Sequence, residues 1–343
     1  MQDLVSQSDA LRQRKTLKNL FELTCSYGEQ TAAVYLENGT EKTVSFAQYQ
    51  AQVMRYAAFL RQATGQTGGY VAISMDTCKE WFPVFWGIIA AGCGALLLDA
   101  NLSDEMTVYL MRQAGAHTLV SVRERKLPDE IRLISLHTLM DAPEPAGFTP
   151  CFSDSVALCT SGTTGTSRIF VYSGEALCEQ VLSSELVYRQ NRRIINQQNR
   201  RVLAFLPFHH VLGFIANLLW ISFLGYANVY LKDRAPKTIV ETCQQCGVEM
   251  LIAVPLLANN LCATLHKKIG KQSVLRRGLF QTAKAISLGV QSVAPVFGLW
   301  LSKNVLFSSV TSQMLGKRIK VIILGGSHTP AIHSTEQVFL THT

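Results

Sequence analysis

The run Cys159-Thr160-Ser161-Gly162-Thr163-Thr164-Gly165-Thr166-Ser167-Arg168 packs hydroxyls, glycines and one cation into consecutive positions. That is the composition of a phosphate cradle. Glycine lets backbone N–H groups turn toward an anion where a Cβ would block the approach, the Ser and Thr hydroxyls add donors, and Arg168 brings positive charge. A Walker loop would need Gly, four residues, then Gly-Lys-Ser/Thr opening into a helix. Neither the spacing from Gly162 nor a Lys is present. The apolar residues 155–159 read as a buried strand and 169–172 as the strand on the far side, so the loop joins two rigid elements. A solvated hairpin turn is the plain alternative, but the unbroken succession of small and hydroxylated residues exceeds what a turn needs.

Two further groups carry chemistry. Leu206-Pro207-Phe208-His209-His210-Val211-Leu212-Gly213 sets a histidine pair between apolar residues, with Phe214 and Asn217 one turn further on. A histidine beside apolar residues is usually a hydrogen-bonded core residue, so this segment needs its context. Gly325-Gly326-Ser327-His328-Thr329 follows an apolar strand over 319–324, and alone reads as a turn. Cys243 and Cys246 have metal or redox spacing, but no second pair accompanies them and they sit late in a helix, so the spacing reads as chance.

The elements that must hold these groups alternate between strand and helix, the signature of parallel α/β layers. The pattern predicts a strand over 70–74, a helix over 77–91, a strand over 94–98, a helix over 103–114 capped by Ser103, and a strand over 117–122. After the loop it predicts a helix from 174 to about 189 capped by Ser173, a strand over 202–206 and a helix over 211–223. Next come a strand over 227–231, a helix over 236–246 stopped by Gly247, and a strand over 248–254. Residues 141–150 hold three prolines and read as a linker between a first α/β subdomain, 1–140, and a second, 151–343.

Composition fits a globular chain with a sizeable core: 343 residues, 48% hydrophobic and 16% charged. Nine irregularly placed cysteines and the lack of an apolar leader fit a reducing cytoplasm. The net charge of +8 is concentrated: residues 261–320 contain ten Lys or Arg and no Asp or Glu. Within them, 285–302 is uncharged and includes Val293, Phe297, Leu299, Trp300 and Leu301. Such a stretch is a candidate for lying on an anionic bilayer, or else is a helical insertion packed on its own domain. No nucleic-acid motif accompanies the charge, which argues against a nucleic-acid partner. Residues 81–98 and 202–231 lack Asp, Glu, Lys and Arg, yet Pro207, Gly213 and Gly225 break the second, and both read as strand and helix in a buried core.

Taken in order, these motifs resemble the adenylate-forming superfamily of acyl-CoA synthetases, peptide-synthetase adenylation domains and luciferases. Its pattern Thr-Ser-Gly-Thr-Thr-Gly-x-Pro-Lys-Gly stands unaltered over Thr160 to Gly165, then departs, with Ser167, Arg168 and Ile169 in place of Pro-Lys-Gly. A planar guanidinium is not equivalent to a compact ammonium at a phosphate. The pairs Glu80-Trp81 and Ala91-Gly92, the segment Asp99-Ala100-Asn101, the His motif and the Gly-Gly turn are similar to the family's in order. The resemblance implies layered, mostly parallel sheets flanked by helices, as in the N-terminal domain of long-chain acyl-CoA synthetases. It implies that Thr160, Ser161, Gly162, Thr163, Thr164, Gly165, Thr166 and Arg168 bind ATP phosphates. By the same analogy Gly325, Gly326 and Ser327 lie near the adenine, and His210, Phe214 and Asn217 line an acyl pocket.

The reaction implied is ATP-dependent activation of a carboxylate, with a fatty acid favoured. Mg²⁺ and a CoA or carrier-protein pantetheine acceptor come with the resemblance. The family's Tyr-Gly-x-Thr-Glu segment, its ribose-binding Asp and its C-terminal lid domain with the catalytic Lys have no counterpart here. The expectation is therefore a truncated ligase domain with no complete catalytic set and no metal ligand assigned, which either works with a separate C-terminal fragment or stands alone. Two other readings stand beside it: a non-catalytic nucleotide- or acyl-binding protein, and a cytoplasmic protein held at the membrane periphery through 261–320.

Overall fold

The computed structural model describes residues 4–65, 67–144, 147–160, 168–190, 200–254 and 318–325. Helices α1 (Leu4–Gln13) and α2 (Leu17–Cys25) lead into a hairpin of β1 (Thr31–Glu37) and β2 (Thr40–Ser45). Ser45 then starts α3 (Phe46–Thr64) with a reciprocal cap: its Oγ accepts from the Gln48 N–H at 3.1 Å, and Gln48 Oε1 accepts from the Ser45 N–H at 2.8 Å. The chain continues through β3 (Tyr70–Ser74), α4 (Trp81–Ala90), β4 (Gly94–Leu98), α5 (Asp104–Ala114), β5 (Ala116–Ser121), β6 (Arg132–Ser135) and α6 (Leu136–Met140). Then come β7 (Ser155–Thr160), β8 (Arg168–Ser173), α7 (Gly174–Gln190), β9 (Arg201–Ala204), α8 (Gly213–Ile221), β10 (Ala227–Tyr230), α9 (Pro236–Gln245), β11 (Met250–Ala253) and β12 (Val321–Leu324).

The strands form two sheets of six, ordered β12-β11-β9-β10-β1-β2 and β6-β5-β3-β4-β7-β8. Each is parallel except for one hairpin at its edge, β1–β2 in the first and β7–β8 in the second. Strand pairing does not divide at 141–150. The early β1 joins β10 in the first sheet, and the late β7 joins β4 in the second. Parallel neighbours need only a crossover between them, so sequence distance does not limit which strands pair.

All ten residues of α4 are buried, and one continuous core runs from α4 to strands of both sheets, taking in Ile73, Leu97, Ala33, Val202 and Ile252. A helix that is apolar all round belongs in such a position. Gly87 sets how closely α3 and α4 approach, because a Cβ there would come within 2.9 Å of Tyr56 Cβ. Helix α4 packs on the face of the second sheet that carries Val71, Ile73, Ala95 and Leu97. Helix α5 packs on the opposite face, with Ala72, Leu96, Leu98 and Leu119. The chain therefore leaves the carboxyl ends of β3 and β4 in opposite directions, and a crevice opens between them.

Most elements lie where the apolar periodicity placed them, including the Ser103 cap of α5, whose Oγ accepts from the Met106 N–H at 3.2 Å. Two differ in a way that matters. The helix expected from Thr77 begins at Trp81, because the Trp81 indole N–H reaches the Met75 and Asp76 carbonyls at 3.2 and 3.0 Å and holds 75–80 as a loop. Residues 211–223 are helical as expected, but Gly213–Ile221 is wound as a π-helix, a form often associated with functional sites. Among the described residues no helix is long and apolar enough to cross a membrane. The apolar stretches 81–98 and 202–231 are divided between helix and strand.

Candidate functional site

The carboxyl ends of both sheets meet at one cleft. On the second sheet β7 runs parallel to β4, pairing Leu97 with Leu158, so Thr160 at the end of β7 emerges beside Asp99, one residue past β4. Arg168 lies across the hairpin from Thr160 in the β7–β8 register and is exposed. The cation therefore stands at the mouth of the hydroxyl- and glycine-rich loop. Ser161, Gly162, Thr163, Thr164, Gly165 and Thr166 lie outside the described residues, as do Gly326, Ser327 and nearly all of the basic 261–320 segment.

The first sheet contributes the loop after β9. Leu206 accepts a hydrogen bond from the Thr77 hydroxyl at 3.2 Å, and Phe208 meets Trp81 edge-on at 5.8 Å, so this loop is tied to the loop after β3. His209 Nε2 lies 3.6 Å from Asp99 Oδ2, and the His209 and His210 rings are 4.2 Å apart. Beyond them, among the described residues, a Cβ on Gly325 would meet the Leu212 methyls at 3.4 and 3.7 Å. Gly325 itself is held at the end of β12, its N–H donating to Ala253 at 3.1 Å. A line of contacts thus runs from the hairpin mouth through Asp99 and the histidines to the glycine turn.

The three residues expected to wall an acyl pocket differ in exposure. His210 is exposed at the cleft. Phe214 is fully buried and packs edge-on against Phe85 at 5.1 Å. Asn217 is also fully buried, its amide N–H groups directed at the Leu203 carbonyl and Asn228 Oδ1, both at 3.3 Å. Gly213 is required beneath them, since a Cβ there would overlap the Pro207 carbonyl oxygen.

Three participants were not legible as site residues. Asp99 holds the Asn101 N–H on Oδ1 at 2.9 Å, which leaves Oδ2 toward His209. Burial raises the Asp99 carboxyl, but the Asn101 N–H and the neighbouring His209 outweigh it and leave it below the ordinary value. Burial, together with the adjacent His210, pushes His209 down to about 4 against the pull of Asp99, so its imidazole is neutral at physiological pH. Arg125, with 4% of its side chain exposed, pins the loop that carries Asp99: it donates to Leu102 O at 2.7 Å, Ala100 O at 2.9 Å and Ser74 Oγ at 2.9 Å, and pairs with Asp104. An acidic residue just past a strand at a switch point was the signal available for Asp99. Nothing in the sequence marked Arg125.

Cys243 and Cys246 are both buried, and burial pushes their thiols up to about 12 and about 11. Those are inert core thiols rather than redox or ligand groups. Among the described residues no group of three His, Cys, Asp or Glu side chains could hold a metal ion. The described side chains therefore offer no donor set to which Mg²⁺ can be assigned.

The family model for AMP-binding enzymes matches residues 21–335. The chain belongs to this family. It is 23% identical over 342 residues to the long-chain-fatty-acid–CoA ligase ACSBG2 of Mus musculus, an alignment covering 88% of this chain and 48% of that protein. Among solved structures, the Klebsiella oxytoca NpsA N-terminal subdomain in complex with 3-hydroxyanthranilyl-AMSN superposes with a TM-score of 0.65 at 14% identity, over 95% of this chain and 70% of that one. The unliganded O-succinylbenzoate coenzyme A synthetase MenE of Bacillus subtilis gives 0.65 at 19% identity, over 93% and 58%. The fold is thus that of the N-terminal subdomains of adenylate-forming enzymes. This AMP-binding chain spans about half the length of the curated relatives it matches.

Proposed function

We propose that this chain carries the ATP- and carboxylate-binding face of an AMP-forming acid–thiol ligase that acts on a fatty acid. The observation that carries the reading is the convergence of the Thr160–Arg168 hairpin mouth, the His209-His210 pair and Gly325 along one cleft at the carboxyl ends of both sheets. ATP would lie along it, with its phosphates on the loop from Thr160 to Thr166 and on Arg168, and its base over Gly325, Gly326 and Ser327. The carboxylate would approach past His210, with Phe214 and Asn217 as the backing of that wall. Held in line, the carboxylate oxygen attacks the α-phosphorus and pyrophosphate leaves, giving an acyl-adenylate. The acyl group then passes to the thiol of CoA or of a carrier-protein pantetheine. Alignment and neutralisation of charge are what this face supplies. The fatty acyl preference is supported by the long-chain relatives and by the apolar residues around the His motif.

The purified chain should bind ATP in a calorimeter, and Arg168→Ala should weaken that binding about tenfold through loss of one charge-assisted contact. Equal affinity in both would remove the phosphate-cradle assignment. The Ser167-Arg168-Ile169 departure favours a second reading, a nucleotide- or acyl-binding protein without turnover. ATP binding with no fatty-acid-dependent ATP–pyrophosphate exchange would select it. Peripheral attachment through 261–320 would show as salt-sensitive sedimentation with anionic vesicles.

A further inference from the structure

The histidine pair and the carboxylate at the switch point form a unit that the motif alone does not describe. Asp99 is not free to turn: Oδ1 accepts from the Asn101 backbone N–H at 2.9 Å and from its side-chain amide at 3.1 Å. Arg125 fixes the same loop through the Ala100 and Leu102 carbonyls. Oδ2 is therefore presented in one direction, toward His209 Nε2 at 3.6 Å. That nitrogen is shielded from solvent and has no hydrogen-bond partner among the described residues. An ionised carboxylate only accepts, so the imidazole nitrogen facing it is the one that carries the proton. The His209 ring also lies against His210, their centroids 4.2 Å apart, and His210 is exposed.

We propose that Asp99 is a positioning residue: it locks His209 as the neutral Nε2–H tautomer, and through the ring contact it sets the orientation of His210 at the carboxylate-binding wall. The site function of His210 rests on the ligase reading above; the Asp99–His209 pairing does not. Among the described residues, the charged and titratable groups that act on His209 are His210, Asp99, Arg234 and Asp76. Of these, Asp99 is the carboxylate aimed at Nε2.

Asp99→Asn tests the pairing without dismantling the loop. The Asn side-chain oxygen can still accept from the Asn101 N–H, so its amide N–H₂ turns toward His209. A donor facing Nε2 demands a lone pair there, and His209 should switch to the Nδ1–H tautomer. Nitrogen-15 spectra of the full chain labelled at histidine report the tautomer directly, and the His209 signals are assigned by their loss in His209→Gln. Nε2–H in the parent chain and Nδ1–H in Asp99→Asn supports the proposal. The same tautomer in both overturns it. In ATP–pyrophosphate exchange, Asp99→Asn should raise KM for the carboxylate about tenfold while kcat changes less than threefold. Unchanged KM beside a switched tautomer would overturn the positioning role for His210. Absence of exchange in the parent chain with the tautomer switch intact would instead count against the ligase reading.

Discussion

His209 shows how far placement changes a residue. Its ordinary range is near 6.5, but burial and the neighbouring ring hold it at about 4. The unfolded chain therefore takes up the proton more readily than the folded one between those two values. Stability is full above about pH 6.5 and falls as the pH drops toward 4, with a loss from this residue on the order of 2 kcal/mol by pH 5. Chemical denaturation at pH 7 and pH 5 should show this loss in the parent chain and not in His209→Gln. Equal losses in both would mean that the imidazole is already free to protonate. The tandem histidines were visible in the sequence, and the motif pointed to His210. Which of the two is buried against a carboxylate depends on the loop after β4, more than one hundred residues away in the chain.

At the scale of elements, the cleft is built from loops, and each loop is held by side chains of neighbouring segments. The loop after β4 hangs on Arg125, the loop after β3 on Trp81, and the loop after β9 on Thr77 and Trp81. Arg125→Ala should cost about 2 kcal/mol, since it leaves the Leu102 carbonyl and the buried Ser74 hydroxyl without their Arg125 donor. A urea midpoint within the equivalent of about 1 kcal/mol of the parent would show that the loop does not depend on it. The strands and most helices around these loops were legible, because period-two and period-3.6 apolar patterns and caps such as Ser45 and Ser103 act locally. The late start of α4 and the π-winding of α8 were not. The first follows from the Trp81 indole N–H, which takes the Met75 and Asp76 carbonyls. Within the second, the Asn217 carbonyl accepts from the Asn228 side chain of β10 at 3.0 Å, a contact that no local pattern marks.

At the scale of the molecule, the two sheets share the buried α4 and a single continuous core, and strands from both sides of 141–150 pair in each sheet. Unfolding should therefore be one cooperative event, with far-ultraviolet dichroism and tryptophan fluorescence changing together; Trp81, Trp86 and Trp220 are all buried in that core. Two separated transitions, one for each side of 141–150, would contradict the shared core.

The sequence by itself determined the chemistry available: a hydroxyl- and glycine-rich loop with one cation, a histidine motif and a glycine turn, each at the end of an apolar strand in an alternating α/β order. Those are local facts, carried by residue type and spacing. Tertiary structure decided which strands became neighbours, and so brought Asp99 to His209 and Leu212 to Gly325. It also left one histidine half-buried against a carboxylate and the other exposed. Parallel pairing leaves no mark on the sequence comparable to a hairpin turn, because the crossover that joins two strands does not say which others will lie beside them.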